Sequence, residues 1–222
     1  MFKLEDLPGL FSLLRERFDQ RLADLNELDS AVGDGDHGFT MLRAMQSAEI
    51  AAQRRFDHLG AGFDAVAEAM AENAGGAIGP LLASFFAEGG VVFKGKKEIN
   101  QEDLEGFLIN GQQAVQDIGG AKSGDKTLLD ALAPAAGAAS GKDLEEALKN
   151  AADAACEGAE KTKELTAAHG RASFVADRSV GHQDAGATSL ALLLETWLDY
   201  VRGARSRSIT SGDTETHQPP PG

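Results

Sequence analysis

The sequence predicts an all-α fold, an eight-helix antiparallel bundle, on three observations. Apolar residues recur at threes and fours almost throughout the 222 residues, which is the period of a helix with one buried face. No stretch sustains the alternation of a half-buried strand; Val91-Val92-Phe93 is the one short candidate, and it reads as loop. Glycine clusters, Asn and Asp fall between the periodic runs, where helices begin and end. The chain is long enough for one domain, or at most two small ones.

The first helix follows Pro8 and shows Leu10, Phe11, Leu14, Phe18, Leu22 and Leu25 on one face. A second, from about His37, carries Met41, Leu42, Met45, Ala48, Ala52 and Phe56, and a third carries Phe63, Val66, Met70 and Ala74. Pro80 opens the fourth, with Leu81, Leu82, Phe85 and Phe86, because proline is tolerated in a first turn. Asn100 is suited to cap the fifth, whose face is Leu104, Phe107, Leu108 and Val115, and Gly119-Gly120 stops it. The sixth follows Asp125 as its cap, shows Leu128, Leu129, Leu132 and Ala136, and is kinked by Pro134. An alanine stripe from Asp143 to about Ala168 forms the seventh. The eighth starts near Gly186 with Leu190, Ala191, Leu194, Trp197, Leu198 and Val201. Residues 1–204 thus read as the folded domain. Residues 205–222 are polar, end in Pro-Pro-Pro-Gly and are expected to form a disordered tail.

The densest chemistry lies between the first two helices, in Asp29-Ser30-Ala31-Val32-Gly33-Asp34-Gly35-Asp36-His37-Gly38-Phe39-Thr40-Met41. Asp29, Asp34 and Asp36 repel one another unless a cation lies between them, and hard divalent ions such as Mg²⁺ take such oxygen ligands together with substrate phosphates. The helix that follows aims free N–H groups and a positive dipole end at any anion nearby. A solvated acidic turn is the plainer alternative, since Asp-Gly pairs commonly form loops.

A net charge of −14 argues against a nucleic-acid partner and against an anionic membrane surface. Any polyanion must therefore be held locally, by metal ions and helix N-termini. The single Cys156 cannot form an internal disulfide and is expected as a buried thiol. No leader or membrane-spanning run is evident, which leads to an expected cytoplasmic location.

Other glycine-rich junctions also open helices. Gly75-Gly76-Ala77-Ile78-Gly79-Pro80 suits either a phosphate cradle or tight helix packing. Gly119-Gly120-Ala121-Lys122-Ser123-Gly124-Asp125-Lys126-Thr127 resembles a P-loop with Asp125 inserted before the lysine. No strand precedes it, so that reading is rejected. The stretch from Gly170 to Ser189 offers Arg178, a guanidinium able to grip a diphosphate, before the last helix. With the acidic loop, it supports one nucleotide site at one end of the bundle.

Four blocks together resemble the L subunit, the nucleotide-binding subunit, of dihydroxyacetone kinases. They are Leu25-Asn26 through Asp29 with Gly33 through Gly38; Gly75-Gly76-Ala77 with Gly79-Pro80; Gly119 through Lys122 with Gly124 through Thr127; and Gly170 through Ser173 with Arg178-Ser179 and Gly181-His182-Gln183-Asp184. Their order and spacing cover about residues 8 to 204. The resemblance implies an eight-helix antiparallel barrel with ATP or ADP at one end. It implies two Mg²⁺ ions on Asp29, Asp34 and Asp36, with His37, Gly38, Phe39 and Thr40 meeting the nucleotide. Ala77 and Ile78 fall on a phosphate-contacting loop, Gly120 and Leu128 near the adenine, Arg178 at the diphosphate, and Asp184, Ala185 and Gly186 on a further nucleotide-contacting turn.

In that family a separate K subunit holds the short ketose through a histidine. The phosphoryl donor is ATP or a phosphotransferase-system phosphocarrier, and L subunits can dock to a transcription regulator. The implied activity is therefore phosphoryl transfer to dihydroxyacetone or another short ketose such as erythrulose. The rivals are a nucleotide-dependent regulatory module without turnover and a Mg²⁺-dependent phosphohydrolase. Ile78 stands where Ser is common, Ala185 where Pro is common, and Phe39-Thr40-Met41 where Thr-Asn-Met is often seen. His37 stands where a related fatty-acid kinase domain has Thr.

Overall fold

The computed structural model describes residues 1–212. Among them are nine α-helices: α1 (Leu7–Gln20), α2 (Leu22–Ser30), α3 (His37–Ala52), α4 (Leu59–Asn73), α5 (Ile78–Val92), α6 (Gln101–Gly119), α7 (Leu129–Ala138), α8 (Leu144–Lys161) and α9 (Ala185–Gly212). Packing neighbours run α1–α3–α4–α5–α6–α7–α8–α9 and return to α1, so eight helices close a ring. The extra helix, α2, is the lower half of the expected first helix. The chain bends at Arg21 (φ −100°, ψ 6°), although Leu25 N–H still donates to the Arg21 carbonyl. The bend lays α2 across α3 and α9 while the apolar period runs through it, which is why the sequence reads one helix.

Several predicted boundaries move. Val92 is the last residue of α5 and Phe93 its cap, so Val91-Val92-Phe93 is a helix end and not a loop. The seventh predicted helix starts as expected, with Asp143 as its cap accepting from Glu146 N–H, but it stops at Lys161, well before Ala168. Asp125 does not cap α7: its carboxylate accepts from Lys122 N–H, and Leu128 holds the cap position. Asn100 caps α6 through a reciprocal box with Asp103, satisfying donors that the first turn leaves open. The last helix extends to Gly212, past the expected start of the tail; residues 213–222 of that tail lie outside the described residues. Among the described residues there is one unpredicted strand pair, β1 (Phe2–Lys3) antiparallel to β2 (Glu98–Ile99). At two residues per strand, it leaves no pattern to read. Among the described residues no helix is long and apolar enough to cross a membrane.

The core fills the ring, and its aromatic part lies at one end. Phe63 meets the rings of Phe11, Phe86, Phe93, Phe107 and Trp197 with centroids 4.9–6.3 Å apart. The strand pair and the first residues of α4 and α6 cover that end, with Leu4 and Leu59 N–H donating to the Lys97 and Lys96 carbonyls. Along α7 and α8 the core is mostly alanine, with Ala131, Ala135, Ala147, Ala151 and Ala155 fully buried, and small side chains let these helices pack closely. Cys156 on α8 is half-buried, not fully so; burial, and then Glu195 beside it, push its thiol up to about 12.

Candidate functional site

The acidic loop crosses from α2 to α3 at the opposite end. Asp29 organises it: its carbonyl accepts from Gly33 N–H at 2.5 Å and its carboxylate from Asp36 N–H at 3.0 Å. Gly35 turns the chain at φ +76°, a conformation that disfavours side chains. Asn26, reaching over from α2, accepts from Gly38 and Phe39 N–H at 2.7 and 3.3 Å and so caps α3. A Cβ on Gly38 would stand 2.3 Å from the Leu22 carbonyl oxygen, so glycine is what lets α2 and α3 approach. The result is that Asp29, Asp34 and Asp36 each present a carboxylate oxygen within 4.8 Å of the others. Two unit charges at that range repel by about 1 kcal/mol even in water. Asp29 is half-buried and the other two are exposed, so the cluster is built from the loop's own hydrogen bonds and opens outward. An all-carboxylate oxygen set of this kind fits a hard divalent cation.

The carboxylates form one lip of a cleft of about 490 Å³, within the usual range for a small-molecule site. His37 and Thr40 line it from the start of α3, Ala77 and Ile78 from α5, Leu128 and Leu129 from α7, and Asp184, Ala185 and Gly186 from α9. Four helix N-termini therefore face one volume. Each carries roughly half a positive charge and unsatisfied N–H groups, which together favour a polyanion on an otherwise acidic chain. Pro80, Leu81, Val115 and Ile118 add an apolar wall, suited to the face of a flat ring. The P-loop rejected from sequence is absent here too: Lys126 points away from solvent and is 2 % exposed.

Three polar side chains tie the floor of the cleft. His37 Nε2 lies 2.8 Å from Ser189 Oγ, bridging α3 to α9. Burial pulls it down to about 4 against the opposing effects of Asp29 and Ala185, so the imidazole is neutral at pH 7. Asp184 caps α9 by accepting from Ala187 N–H at 2.7 Å. Burial pushes it up to about 6, with Asp130 adding to the shift and the bonds from Ala187 and Gly186 and the nearby Lys126 opposing it. Lys126 itself (φ +59°) donates from Nζ to the carbonyls of Thr162, Leu165, Ser179 and His182 at 2.8, 3.2, 2.5 and 2.6 Å. Burial draws its pKa down and Asp184 supports its charge.

Of the residues singled out from sequence, Asp29, Asp34, Asp36, His37, Thr40, Ala77, Ile78, Leu128, Asp184, Ala185 and Gly186 all line the cleft. Gly38, Phe39, Gly120 and Arg178 are not in its lining. Gly38 is buried beneath α2, while Phe39 and Arg178 face solvent, the latter on a 3-10 segment spanning Arg171–Ser179. Gly120 (φ +67°) ends α6 beside the lining residue Gly119. Lys126, Val115, Ile118 and His169 were missed. In the sequence Lys126 falls within the rejected P-loop and Val115 on the apolar face of the fifth predicted helix, while Ile118 and His169 carry no signal.

Comparison with known proteins gives a consistent result. The DAK2 domain family model matches residues 31–199. The ADP-binding subunit DhaL of PEP-dependent dihydroxyacetone kinase 2 of Listeria innocua is 34% identical over 191 residues, covering 81% of this chain and 87% of that protein. L-erythrulose 1-kinase of Mycolicibacterium smegmatis is 35% identical over 190 residues, covering 81% of this chain and 33% of that protein. The crystal structure of the dihydroxyacetone kinase from C. freundii with AMP-PNP and Mg²⁺ aligns with a TM-score of 0.69 and 28% identity, covering 87% of this chain and 33% of that one. This chain thus spans about a third of those two longer proteins. It belongs to the DAK2 domain family.

Proposed function

We propose, with membership of the DAK2 domain family as the premise, that this chain is the nucleotide-binding subunit of a dihydroxyacetone-type kinase. The observation that carries the reading is the meeting of three carboxylates with four helix N-termini at one cleft. Asp29, Asp34 and Asp36 would hold two Mg²⁺ ions. Held there, Mg²⁺ would supply neutralisation of phosphate charge, a main demand of phosphoryl transfer. The chain's own part is positioning: N–H groups at Ala77 and Ile78 and at the start of α3 orient phosphate oxygens. The apolar wall around Leu128 excludes water from the base, and Asp184, Ala185 and Gly186 fix the turn against which the nucleotide rests. Arg178, exposed on the 3-10 segment Arg171–Ser179 and outside the lining, would have to turn inward to grip the diphosphate. In this reading the short ketose is held and activated on a separate K subunit, and this chain supplies the nucleotide.

Names among the relatives include PEP- and PTS-dependent dihydroxyacetone kinase subunits and three erythrulose kinases. Erythrulose is therefore the second acceptor to test, and a phosphocarrier the alternative donor to ATP. Calorimetry of the purified chain with ADP should show binding in Mg²⁺ that chelator abolishes. Mixed with its K subunit, the chain should phosphorylate a short ketose, assayed with ATP and, separately, with phosphoenolpyruvate and the carrier proteins. Chelator-insensitive binding counts against the metal–phosphate site. Binding without transfer to any K subunit would assign the chain a regulatory role, for which a transcription regulator is the partner to test.

A further inference from the structure

We propose that Lys126 is a positioning residue, whose ammonium acts as a tethered monovalent cation that pins the segment 162–184 over the cleft. The inference rests on the nucleotide reading of that cleft but starts from separate geometry. Four carbonyl oxygens, those of Thr162, Leu165, Ser179 and His182, converge on one nitrogen within 3.2 Å. Carbonyl dipoles aimed at one point repel, and a desolvated positive charge at that point is what holds them. A compact ammonium suits such a centre better than arginine, whose planar fork spreads its donors instead of aiming them from one nitrogen.

The oxygens come from both ends of one excursion of the chain, which leaves α8 at Thr162 and rejoins the barrel at Asp184. The excursion contributes Gly170, Ala172 and Asp184 to the cleft, and Arg178 precedes the pinned Ser179 carbonyl. Other ties agree in direction: Ala168 N–H donates to the Asp125 carbonyl, Asp184 N–H to Thr162 Oγ1 at 2.8 Å, and Gly181 N–H to the Lys163 carbonyl. All of them join backbone to the loop that carries Lys126, or one end of the excursion to the other. Removing the charge leaves four converging carbonyls, two of them buried, without their common donor, so the cover swings away while the acidic loop, on different helices, stays in place.

The test uses the full chain with Lys126→Met and Lys126→Ala. Without nucleotide, trypsin should cut Lys126→Met after Arg171 and Arg178 about 10- to 100-fold faster than wild type. Cutting at Lys94, Lys96 and Lys97, at the far end, should be unchanged. The dissociation constant for Mg²⁺–ADP should rise by a similar factor. For Lys126→Ala, ammonium salts should restore protection and affinity, and tetramethylammonium at equal ionic strength should not. Wild-type protection and affinity in Lys126→Met overturn the proposal, as does equal acceleration at both ends of the barrel. If Lys126→Met does not fold, the alanine variant decides: recovery specific to ammonium supports the pin, and no recovery overturns it. A wild-type chain that fails to bind Mg²⁺–ADP would remove the proposed function, while the proteolysis comparison would still read the pin.

Discussion

At one end of the barrel Phe63 is enclosed by the rings of Phe11, Phe86, Phe93, Phe107 and Trp197, under a strap made by Phe2–Lys3 and Glu98–Ile99. At the other end Asp29, Asp34 and Asp36 face one another across a few ångströms, beside a buried lysine and a half-buried aspartate. The first end gains its stability from apolar area and edge-on rings. The second concentrates like charge and desolvated polar groups, which by themselves destabilise a fold. A closed ring of helices reconciles them, because the same α4, α5, α6 and α9 run from one end to the other. Stability and ligand binding should therefore separate along the barrel axis, and substitutions can test how cleanly they do.

The largest effect is expected at the closed end. Phe63→Ala leaves a cavity among rings that cannot collapse onto it, and should lower unfolding stability by about 3–5 kcal/mol. Below its unfolding temperature the variant should bind Mg²⁺–ADP as the wild type does. Chemical denaturation and calorimetry on one preparation check both halves, and a matching loss of affinity would break the separation.

The converse experiment comes next. Asp34→Asn removes one of three clustered charges and should weaken Mg²⁺-dependent nucleotide binding or transfer on the order of 100- to 1000-fold. Stability should stay within about 0.5 kcal/mol, as for most surface substitutions. A large fall in unfolding temperature would mean that the carboxylates serve the fold.

Asp184 sharpens the contrast through pH. Its folded pKa of about 6 stands above the ordinary 3.8, so between those values the folded state holds more protons than the unfolded one. The carboxylate therefore costs stability once ionised, on the order of 2–3 kcal/mol at pH 7, and the cost fades as pH falls through 6 towards 4. Asparagine keeps an oxygen to accept from Ala187 N–H but carries no charge. Asp184→Asn should accordingly be more stable than wild type in urea at pH 7, with the gap closing by pH 4.

How much of this was legible in the sequence differs between the two ends in a related way. The helix faces, the cap at Asn100, the helix start at Asp143 and the acidic loop rest on local spacing, and they appear where the spacing put them. The bend at Arg21, the early stop of α8 at Lys161 and the two-residue strand pair depend on what packs against them, and tertiary context overrides propensity there. Lys126 is the clearest case. Its four acceptors lie 36 to 56 residues away in the chain, so no local pattern could mark a glycine-loop lysine as buried. The cleft's acidic edge was readable; most of its apolar wall and its fastening were not.

The smallest expected effect falls on Trp197. Its Nε1 is the one buried side-chain nitrogen or oxygen without a hydrogen-bond partner among the described residues. The contrast with Lys126 is instructive: the open end brings four carbonyls to one donor, whereas the aromatic end, having only rings to offer, brings none. The nearby Phe2 ring stands edge-on, with centroids 5.6 Å apart and planes at 69°. An orphaned donor costs about 1–3 kcal/mol, and shrinking a buried aromatic side chain costs a comparable amount in lost area and void. The two oppose each other in Trp197→Phe, so stability should change by less than about 1 kcal/mol and nucleotide affinity not at all. A loss as large as that of Phe63→Ala would mean the indole contributes through shape that phenylalanine cannot reproduce. A loss of affinity would carry the aromatic end's influence along α9 to Asp184, and the two ends could no longer be treated as independent.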